Sequence, residues 1–208
     1  MINSKIEDYT KSFTSEESEE VKKLLKISER ELEFTDMICG RQVGTMLKLL
    51  VSLSGAQRVL DIGTFSGYSA LMMAEAMPEN GELITCELNE RYTEISEQFF
   101  SKPPFNTIIK QMLGDALKII PKLTGTFDLI FLDADKLNYP AYYKVIKEKV
   151  KPGSILMADN TLWSGEVLKT ETPKARAIHT FNCMIKDDPN IHQVMLPVRD
   201  GLLIGRFI

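Results

Sequence analysis

The sequence predicts an α/β protein whose doubly wound, seven-stranded sheet is mostly parallel and ends in an antiparallel hairpin. Three observations support this prediction. Short apolar runs alternate with helical patterns along most of the 208 residues, as they do in parallel sheets covered by helices on both faces. Hydrophobic residues make up 44% of the chain, close to the average for soluble globular domains. Asp200-Gly201 separates the last two apolar runs, which is a hairpin signal.

Residues 1–36 are predicted to form a helical N-terminal arm. Apolar residues recur there among many charges, and Thr14-Ser15-Glu16-Glu17 has the composition of a capped helix start. The acidic residues in and just after this segment are interpreted as a solvated helix face. A second helical pattern runs from Val43 to Val51 and ends near Gly55. It belongs to the domain predicted for residues 37–208.

Strands and helices are predicted to alternate through that domain. The apolar runs that indicate buried strands are Arg58 to Ile62, Glu82 to Glu87, Thr107 to Leu113, Phe127 to Asp133 and Ser154 to Ala158. The helices between them are Tyr68 to Met77, Glu90 to Phe100, Ala116 to Leu123 and Ala141 to Lys149. A helix around Lys174 to Lys186 then precedes the hairpin strands, Gln193 to Val198 and Leu202 to Phe207.

Composition limits the partners and the compartment. The formal net charge of −4 comes from 29 acidic and 25 basic residues with no block of Lys and Arg, so we do not expect a nucleic-acid partner. Cys39, Cys86 and Cys183 form no CxxC pair and are odd in number, which favours reduced thiols. There is no run of about 18 apolar residues and no signal-sequence pattern. We therefore expect a soluble cytoplasmic protein with no membrane partner.

The loop after the first predicted strand is a candidate cofactor site. Asp61-Ile-Gly-Thr-Phe-Ser-Gly67 places a carboxylate at a strand end, followed by two glycines and a helix start. This spacing differs from the dinucleotide pattern G-x-G-x-x-G, and no Lys-Ser or Lys-Thr follows Gly67, as a P-loop requires. Glu87, at the end of the next predicted strand, could accept hydrogen bonds from both hydroxyls of a ribose. The alternative interpretation is an ordinary tight turn beside a surface acid.

Polar side chains also follow the fourth and fifth predicted strands. Asp133, Asp159 and Asn160 offer three oxygen ligands and no nitrogen or sulfur, which suits Mg²⁺, Ca²⁺ or Mn²⁺ rather than zinc. Carboxylates that converge at a strand edge repel one another, and a bound cation would relieve that repulsion. An Asp-Asn pair by itself is often only a turn or a helix cap.

These segments resemble the cation-dependent O-methyltransferases related to caffeoyl-CoA and catechol O-methyltransferases, from about Met37 to Phe207. The resemblance implies a Rossmann-like methyltransferase fold and a homodimer. It also implies methyl transfer from S-adenosylmethionine (SAM) to a hydroxyl of a small vicinal-diol aromatic acceptor, with a divalent cation as second cofactor. Four motifs carry it in order: Asp61-Ile-Gly-Thr-Phe-Ser-Gly-Tyr-Ser69, Asp133-Ala-Asp-Lys-Leu-Asn-Tyr139, Asp159-Asn-Thr-Leu-Trp163 and Leu196-Pro-Val-Arg-Asp-Gly201.

The resemblance further assigns roles to individual residues. Those expected to bind SAM are Cys39, Asp61, Gly63, Thr64, Phe65, Ser69, Glu87 at the ribose, Asp115 and Ala116 at the adenine, Asp133 and Asp135. The metal ligands would be Asp133, Asp159 and Asn160. Lys136 would be the catalytic base beside Asp133, and the acceptor would contact Lys136, Tyr139, Trp163 and Ser164.

The chain departs from the family pattern at four of the compared positions. Cys39 stands where the plant enzymes have Thr, Asp61 where they have Glu, Ser164 where they have Asn, and Arg199 where Gly is common.

Three other functions are weaker alternatives. Methylation of a hydroxylated uridine in tRNA would keep the same chemistry, but the acidic balance of the chain disfavours it. A SAM-binding interaction protein would be expected to lack one of the predicted catalytic or metal-binding residues, and all of them are present. An NAD-dependent oxidoreductase is disfavoured by the glycine spacing.

Overall fold

The computed structural model describes residues 4–208 and confirms the predicted sheet. Its strands are β1 (Arg58–Ile62), β2 (Glu82–Glu87), β3 (Ile109–Leu113), β4 (Leu129–Leu132), β5 (Ile155–Ala158), β6 (Ile191–Leu196) and β7 (Leu202–Phe207). They lie in the order β3-β2-β1-β4-β5-β7-β6. The first five pair in parallel, while β7 runs antiparallel to both β5 and β6 and lies between them.

Helices cover both faces of this sheet. They are α1 (Ser4–Ser12), α2 (Glu19–Glu31), α3 (Gly40–Ser54), α4 (Tyr68–Ala74), α5 (Glu90–Phe100), α6 (Phe105–Ile108), α7 (Ala116–Ile119), α8 (Tyr139–Lys147) and α9 (Pro173–Lys186). Short 3₁₀ segments add Thr35–Met37, Ile120–Lys122, Lys136–Asn138 and Trp163–Leu168. Among the described helices, none has the length and apolarity needed to cross a bilayer.

The strands are buried on both faces, so their apolar runs are continuous. Successive residues point to opposite sides, and the core is therefore divided into two clusters. Leu129 and Phe131 of β4 pack with α3 and α4 on one side, and Ile130 and Leu132 pack with α8 and α9 on the other. The central strands are thereby fixed from both faces.

The order of the strands determines where a ligand can bind. β1 lies between β2 and β4. The chain adds β2 and β3 on one side of β1 and then crosses over to add β4 and the later strands on the other side. Ligands of open α/β sheets bind at such a switch point, outside the carboxyl ends of the strands. The loop after β4 meets the loop after β1 there, because the Asp133 amide donates to the Ile62 carbonyl at 2.9 Å.

Some predicted boundaries were wrong for local reasons. Residues 107 and 108 belong to the helical turn α6 rather than to β3. The strand predicted to run to Val198 ends at Leu196, because Pro197 has no amide hydrogen to donate to a ladder. The helix predicted through Leu123 ends as a 3₁₀ segment that contains Pro121.

The N-terminal arm contains two helices, and its predicted cap was also wrong. The residue that caps α2 is Ser18, whose hydroxyl accepts a hydrogen bond from the Val21 amide at 3.2 Å. Val21 and Leu24 are fully buried in the cluster that contains α3 and α4. Residues 1–3 of the predicted arm lie outside the described residues, and the boundary at residue 36 stays a prediction.

We predict that Gly44→Ala destabilises the protein although it removes a glycine from the middle of α3. Alanine normally stabilises a helix by about 1 kcal/mol relative to glycine. A Cβ at Gly44 would lie only 2.7 Å from Cε1 and 2.9 Å from the hydroxyl oxygen of Tyr68, which is buried. We expect a net loss of about 1–3 kcal/mol from overpacking.

Thermal denaturation measures this loss. Ser52→Ala, on the exposed face of the same helix, is the matched control and should leave the melting temperature unchanged or slightly raised. A Gly44→Ala protein at least as stable as the wild type would contradict the close packing of α3 on Tyr68.

Candidate active site

A cavity of about 640 Å³ opens at the carboxyl ends of the parallel strands. It lies at the switch point between β1 and β4, where the fold places ligand sites. Most of the residues predicted from the sequence line it together. They are Cys39, Gly63, Thr64, Phe65, Ser69, Glu87, Asp115, Ala116, Asp133, Asp135, Lys136, Asp159, Asn160 and Trp163.

The glycine loop between β1 and α4 has a conformation that ordinary side chains rarely adopt. Gly63 has φ +107°, and a Cβ there would lie 2.2 Å from the carbonyl oxygen of Asp133. Gly67 has φ +92° and precedes the first turn of α4. Phe65 also has a positive φ of 46°, and its amide donates to Glu87 Oε2 at 2.7 Å. Gly63 therefore allows the loop to touch the backbone after β4, and Gly67 allows it to pack against Ser96 and Phe100 of α5.

Asp61 lies beneath this loop rather than on the cavity wall. Its Oδ2 accepts hydrogen bonds from Ser69 Oγ and Thr85 Oγ1, each at 3.0 Å. Its Oδ1 is buried without a hydrogen-bond partner among the described residues. Burial raises the pKa of Asp61 to about 7 against the two hydrogen bonds, which lower it. Asp61 therefore acts on the cavity through Ser69, which lines it and donates to the buried carboxylate.

The acid at the end of β2 is held by backbone amides. Glu87 Oε1 accepts from the amides of Leu88 and Asn89, each at 2.9 Å, and Oε2 accepts from the Phe65 amide. At the next strand end, Asp115 accepts from the Leu117 amide and caps α7. Both carboxylates keep oxygen lone pairs that can accept further hydrogen bonds from the cavity.

Two acids after β4 and β5 form the opposite side of the cavity. Asp133 Oδ1 is 2.6 Å from Lys136 Nζ. Asp159 is 2% exposed, and its Oδ1 accepts from the Asn160 amide at 2.7 Å. Burial, and after it the charge of Asp133, raises the pKa of Asp159 to about 7. Two carboxylates that disfavour each other's charge in a buried place are suited to a shared cation.

The donor set fits a hard divalent cation with open coordination positions. Asp133 and Asp159 supply carboxylate oxygens, and Asn160, at φ +56°, supplies an amide. No group of three or more His, Cys, Asp and Glu residues that could hold a metal ion occurs within residues 4–208. The proposed ligand set is therefore two acids and one amide, all of which would bind through oxygen.

Lys136 is charged in this arrangement. Burial lowers the pKa of its ammonium, but the oxygens of Tyr139 and Asp133 outweigh that effect and hold the pKa above its usual range. Lys136 Nζ also lies 5.0 Å from the centre of the Tyr139 ring. Lys136 can therefore act as a base, the role expected from the sequence, only if the negative charge beside it is reduced so that its pKa falls.

Two predicted acceptor contacts are corrected by the structure. Tyr139 is fully buried below the cavity, where its hydroxyl donates to the carbonyls of Leu132 and Asp159. Ser164 is exposed and does not line the cavity, because its amide is held by Asp200 Oδ1 at 2.5 Å. Tyr139 supports the strand ends from behind, and Ser164 belongs to the outer surface of its loop.

The sequence did not identify several cavity residues. Tyr92 packs edge-on against Phe65 at 4.7 Å, and Met37 and Ile38 come from the segment before α3. Lys174 and Arg199 also line the cavity. Lys174 lies outside the predicted motifs, and Arg199 was noted only as a departure from the family pattern. Tertiary packing brings these residues to the cavity, and no local sequence pattern predicts that they line it.

The interpretation of the acidic arm residues as a solvated face was wrong for Glu17. Glu17 is 8% exposed, and it pairs with Arg41 Nε at 2.9 Å. Tyr68, which lines the cavity, donates its hydroxyl to the same carboxylate at 3.2 Å. The arm is thus connected directly to the wall of the site.

A glycine loop at a switch point, with an acid at the end of the neighbouring strand, defines an α/β enzyme that binds a nucleotide-type cofactor. Known proteins identify the family. The family model described as O-methyltransferase matches residues 11–208. Caffeoyl-CoA O-methyltransferase 2 of Populus trichocarpa is 33% identical over 83% of this chain and 75% of that protein. Catechol O-methyltransferase of Niastella koreensis is 34% identical over 68% of this chain and 67% of that protein.

The O-methyltransferase TomG from Streptomyces achromogenes, solved in complex with SAM, has a TM-score of 0.88 and 27% identity. Its alignment covers 98% of this chain and 96% of that one. The chain therefore belongs to the O-methyltransferase family and is a methyltransferase enzyme.

The pH dependence of stability tests the burial of Asp61. Its pKa of about 7 in the folded protein lies above the ordinary 3.8, so folding favours the protonated acid. This contribution is complete below about pH 4 and is lost as the pH rises through about 7. An asparagine at this position stays neutral at every pH, so Asp61→Asn does not lose this contribution. The difference in melting temperature, variant minus wild type, should therefore rise by several degrees between about pH 4 and pH 7.

Scanning fluorimetry without ligand measures this difference. Asp8→Asn, on the exposed surface of α1, is the control and should run parallel to the wild type. Parallel curves for Asp61→Asn would show that Asp61 is not a buried acid that titrates in this range.

Proposed function

We propose that the enzyme transfers the methyl group of SAM to a hydroxyl of a small aromatic vicinal diol and requires a divalent cation, with Mg²⁺ as the first choice. The observation that carries this proposal is the position of Asp133 and Asp159 in the same cavity as the glycine loop. The cavity can therefore hold a cofactor and a chelated acceptor side by side. Relatives named for caffeoyl-CoA and catechol support an acceptor of this kind.

The cofactor side is formed by β1, β2 and the loops that follow them. Three backbone amides fix Glu87, and this supports a role for its carboxylate in accepting hydrogen bonds from ribose hydroxyls. Ser66 lines the cavity, and its hydroxyl, buried with no hydrogen-bond partner among the described residues, fits the polar end of SAM, while Asp61 holds Ser69 of the same wall from beneath. TomG, which is solved with SAM, supports this assignment. When bound, SAM supplies an electrophilic methyl group on a sulfonium.

The acceptor side is formed by Asp133, Asp159, Asn160 and Lys136. When bound there, a divalent cation would lower the pKa of a diol hydroxyl and orient the ring. Trp163 lines this side and offers an aromatic face against which a ring can pack.

Methyl transfer is an in-line displacement, so the chain's main task is to align two reactants. The C–O bond forms as the C–S bond breaks, and the bonding electron pair passes to sulfur. The hydroxyl proton must go to a base, and Lys136 Nζ is the buried amine beside the acid pair. Tyr139 and Asp133 hold the pKa of Lys136 above its usual range against the effect of burial, so Lys136 can act as the base only when a bound cation offsets the negative charge beside it.

The expected homodimer and the cytoplasmic location stay predictions. Gel filtration with light scattering would test the first of them.

The metal requirement is tested by binding as well as by turnover. We expect EDTA to abolish methyl transfer and Mg²⁺ to restore it, while SAM binding survives in both states. In Asp159→Asn, calorimetry should show loss of Mg²⁺ binding, and turnover should fall by about 100-fold or more.

Asp187→Asn, an exposed substitution after α9, is the matched control and should behave as the wild type. Unchanged turnover in EDTA and in Asp159→Asn would rule out the metal role.

The role of Lys136 is tested by the pH dependence of the rate. We expect Lys136→Ala to lower kcat by about 100-fold to 10,000-fold, because the positioned base is lost. It should also remove the ionisation that makes the wild-type rate rise with pH. Lys144→Ala, exposed on α8, is the control. A wild-type rate and pH profile in Lys136→Ala would exclude Lys136 as the base.

A further inference from the structure

Two loops form the acceptor side of the cavity, and they are joined by backbone hydrogen bonds. The Thr161 amide donates to the Gly201 carbonyl at 3.0 Å, and the Leu162 amide donates to the Asp200 carbonyl at 2.9 Å. The loop that begins at Asp159 and the turn between β6 and β7 therefore lie side by side. Arg199 in this turn lines the same cavity as Asp159.

A second cation lies on the same side. Lys174, in the first turn of α9, places Nζ 5.4 Å from the centre of the Trp163 ring, and both residues line the cavity. Trp163 follows Asn160 by three positions in the loop that pairs with the turn of Arg199. Lys174 and Arg199 are thus on the part of the wall that faces the acceptor.

Neither cation has a carboxylate partner among the described residues. Lys136, by contrast, pairs with Asp133. Arg199 uses Nη1 to donate to the carbonyls of Ile38 and Cys39, which fixes the guanidinium, and its other donors have no hydrogen-bond partner in the described part of the chain. Asp36 also lines the cavity, but it forms no ion pair with either residue in the described part of the chain. Two positive charges are therefore available to a ligand.

The backbone at Arg199 is an independent observation. Its φ is +50°, in the left-handed region that favours glycine. A side chain held there costs conformational free energy, and such strain is concentrated at functional sites. The chain keeps an arginine where glycine would fit the turn better.

We propose that Arg199 and Lys174 form a subsite for a carboxylate on the acceptor, so that the enzyme prefers an aromatic vicinal diol that carries an acid group. This inference rests on the proposed function, since it places the diol at Asp133 and Asp159. An anionic acceptor would otherwise be repelled by those acids, and the two cations offset that repulsion. The planar guanidinium suits a carboxylate, which it can bind through two donors.

A matched pair of acceptors tests the subsite. 3,4-Dihydroxybenzoate and 3,4-dihydroxybenzamide have nearly the same shape and differ in charge. The wild type with SAM and Mg²⁺ should show a higher kcat/KM for the acid. The ratio of the two kcat/KM values should fall by about tenfold in Arg199→Gly and in Lys174→Gln, because each variant removes a charged donor.

The variants are chosen to keep the fold. Glycine suits the left-handed backbone at residue 199, and Lys174 is exposed at the start of its helix. Lys169→Gln is the control, because it removes an exposed positive charge near the same loop but outside the cavity wall. It should leave the ratio at the wild-type value. The preference of the wild type should also weaken with added salt.

The outcomes separate the two proposals. Turnover of both diols with no preference for the acid, or a ratio unchanged in Arg199→Gly and Lys174→Gln, would overturn the carboxylate subsite alone. Absence of methyl transfer to either diol would overturn the proposed function and the subsite with it.

Discussion

The burial of acids at one edge of the sheet is the constraint on which the site depends. Asp61 and Asp159 end or follow parallel strands, are almost completely buried, and both have pKa values raised to about 7. Hydrophobic clusters on both faces of the sheet hold these acids in place, so the protein cannot relieve their repulsion by moving them into water. Cations relieve it instead. Lys136 pairs with Asp133. A sulfonium or a divalent metal bound in the cavity would offset the remaining negative charge.

The sequence predicted the sheet well because buried parallel strands leave continuous apolar runs. β1, β2 and β7 begin and end where their patterns predicted. The site residues at the strand ends were predictable for a related reason, since the topology brings those ends to one edge. The failures concern contacts between distant segments. Arg199 donates hydrogen bonds to the carbonyls of Ile38 and Cys39, and Tyr68 donates one to Glu17. The partners are far apart in the sequence, so no local pattern predicts these contacts. Tyr139 was placed on the wall because it belongs to a site motif, but its helix turns it towards the core.

The N-terminal arm belongs to the site as well as to the fold. Its carboxylate at Glu17 is nearly buried between Arg41 of α3 and Tyr68 of α4. α3 approaches Tyr68 closely because Gly44 has no side chain, so the arm and two helices together fix one aromatic residue of the cavity. Arg199 and Lys174 line the same cavity as the acids, so its wall carries charges of both signs and has electrostatic polarity. This polarity can discriminate among acceptors of similar shape.

The position of β7 between β5 and β6 has a consequence for the order of assembly. The glycine loop, Glu87 and Asp133 all precede α8 in the chain, whereas Arg199 and the strand that covers the edge of β5 come after α9. During synthesis the chain emerges in that order, so β1 to β4 can form their parallel pairings before Arg199 and β7 are present. Until β7 inserts, β5 is an unprotected edge with free hydrogen-bonding groups. Arg199 lies in the turn that leads into β7, so this part of the acceptor wall and the protection of that edge are completed together.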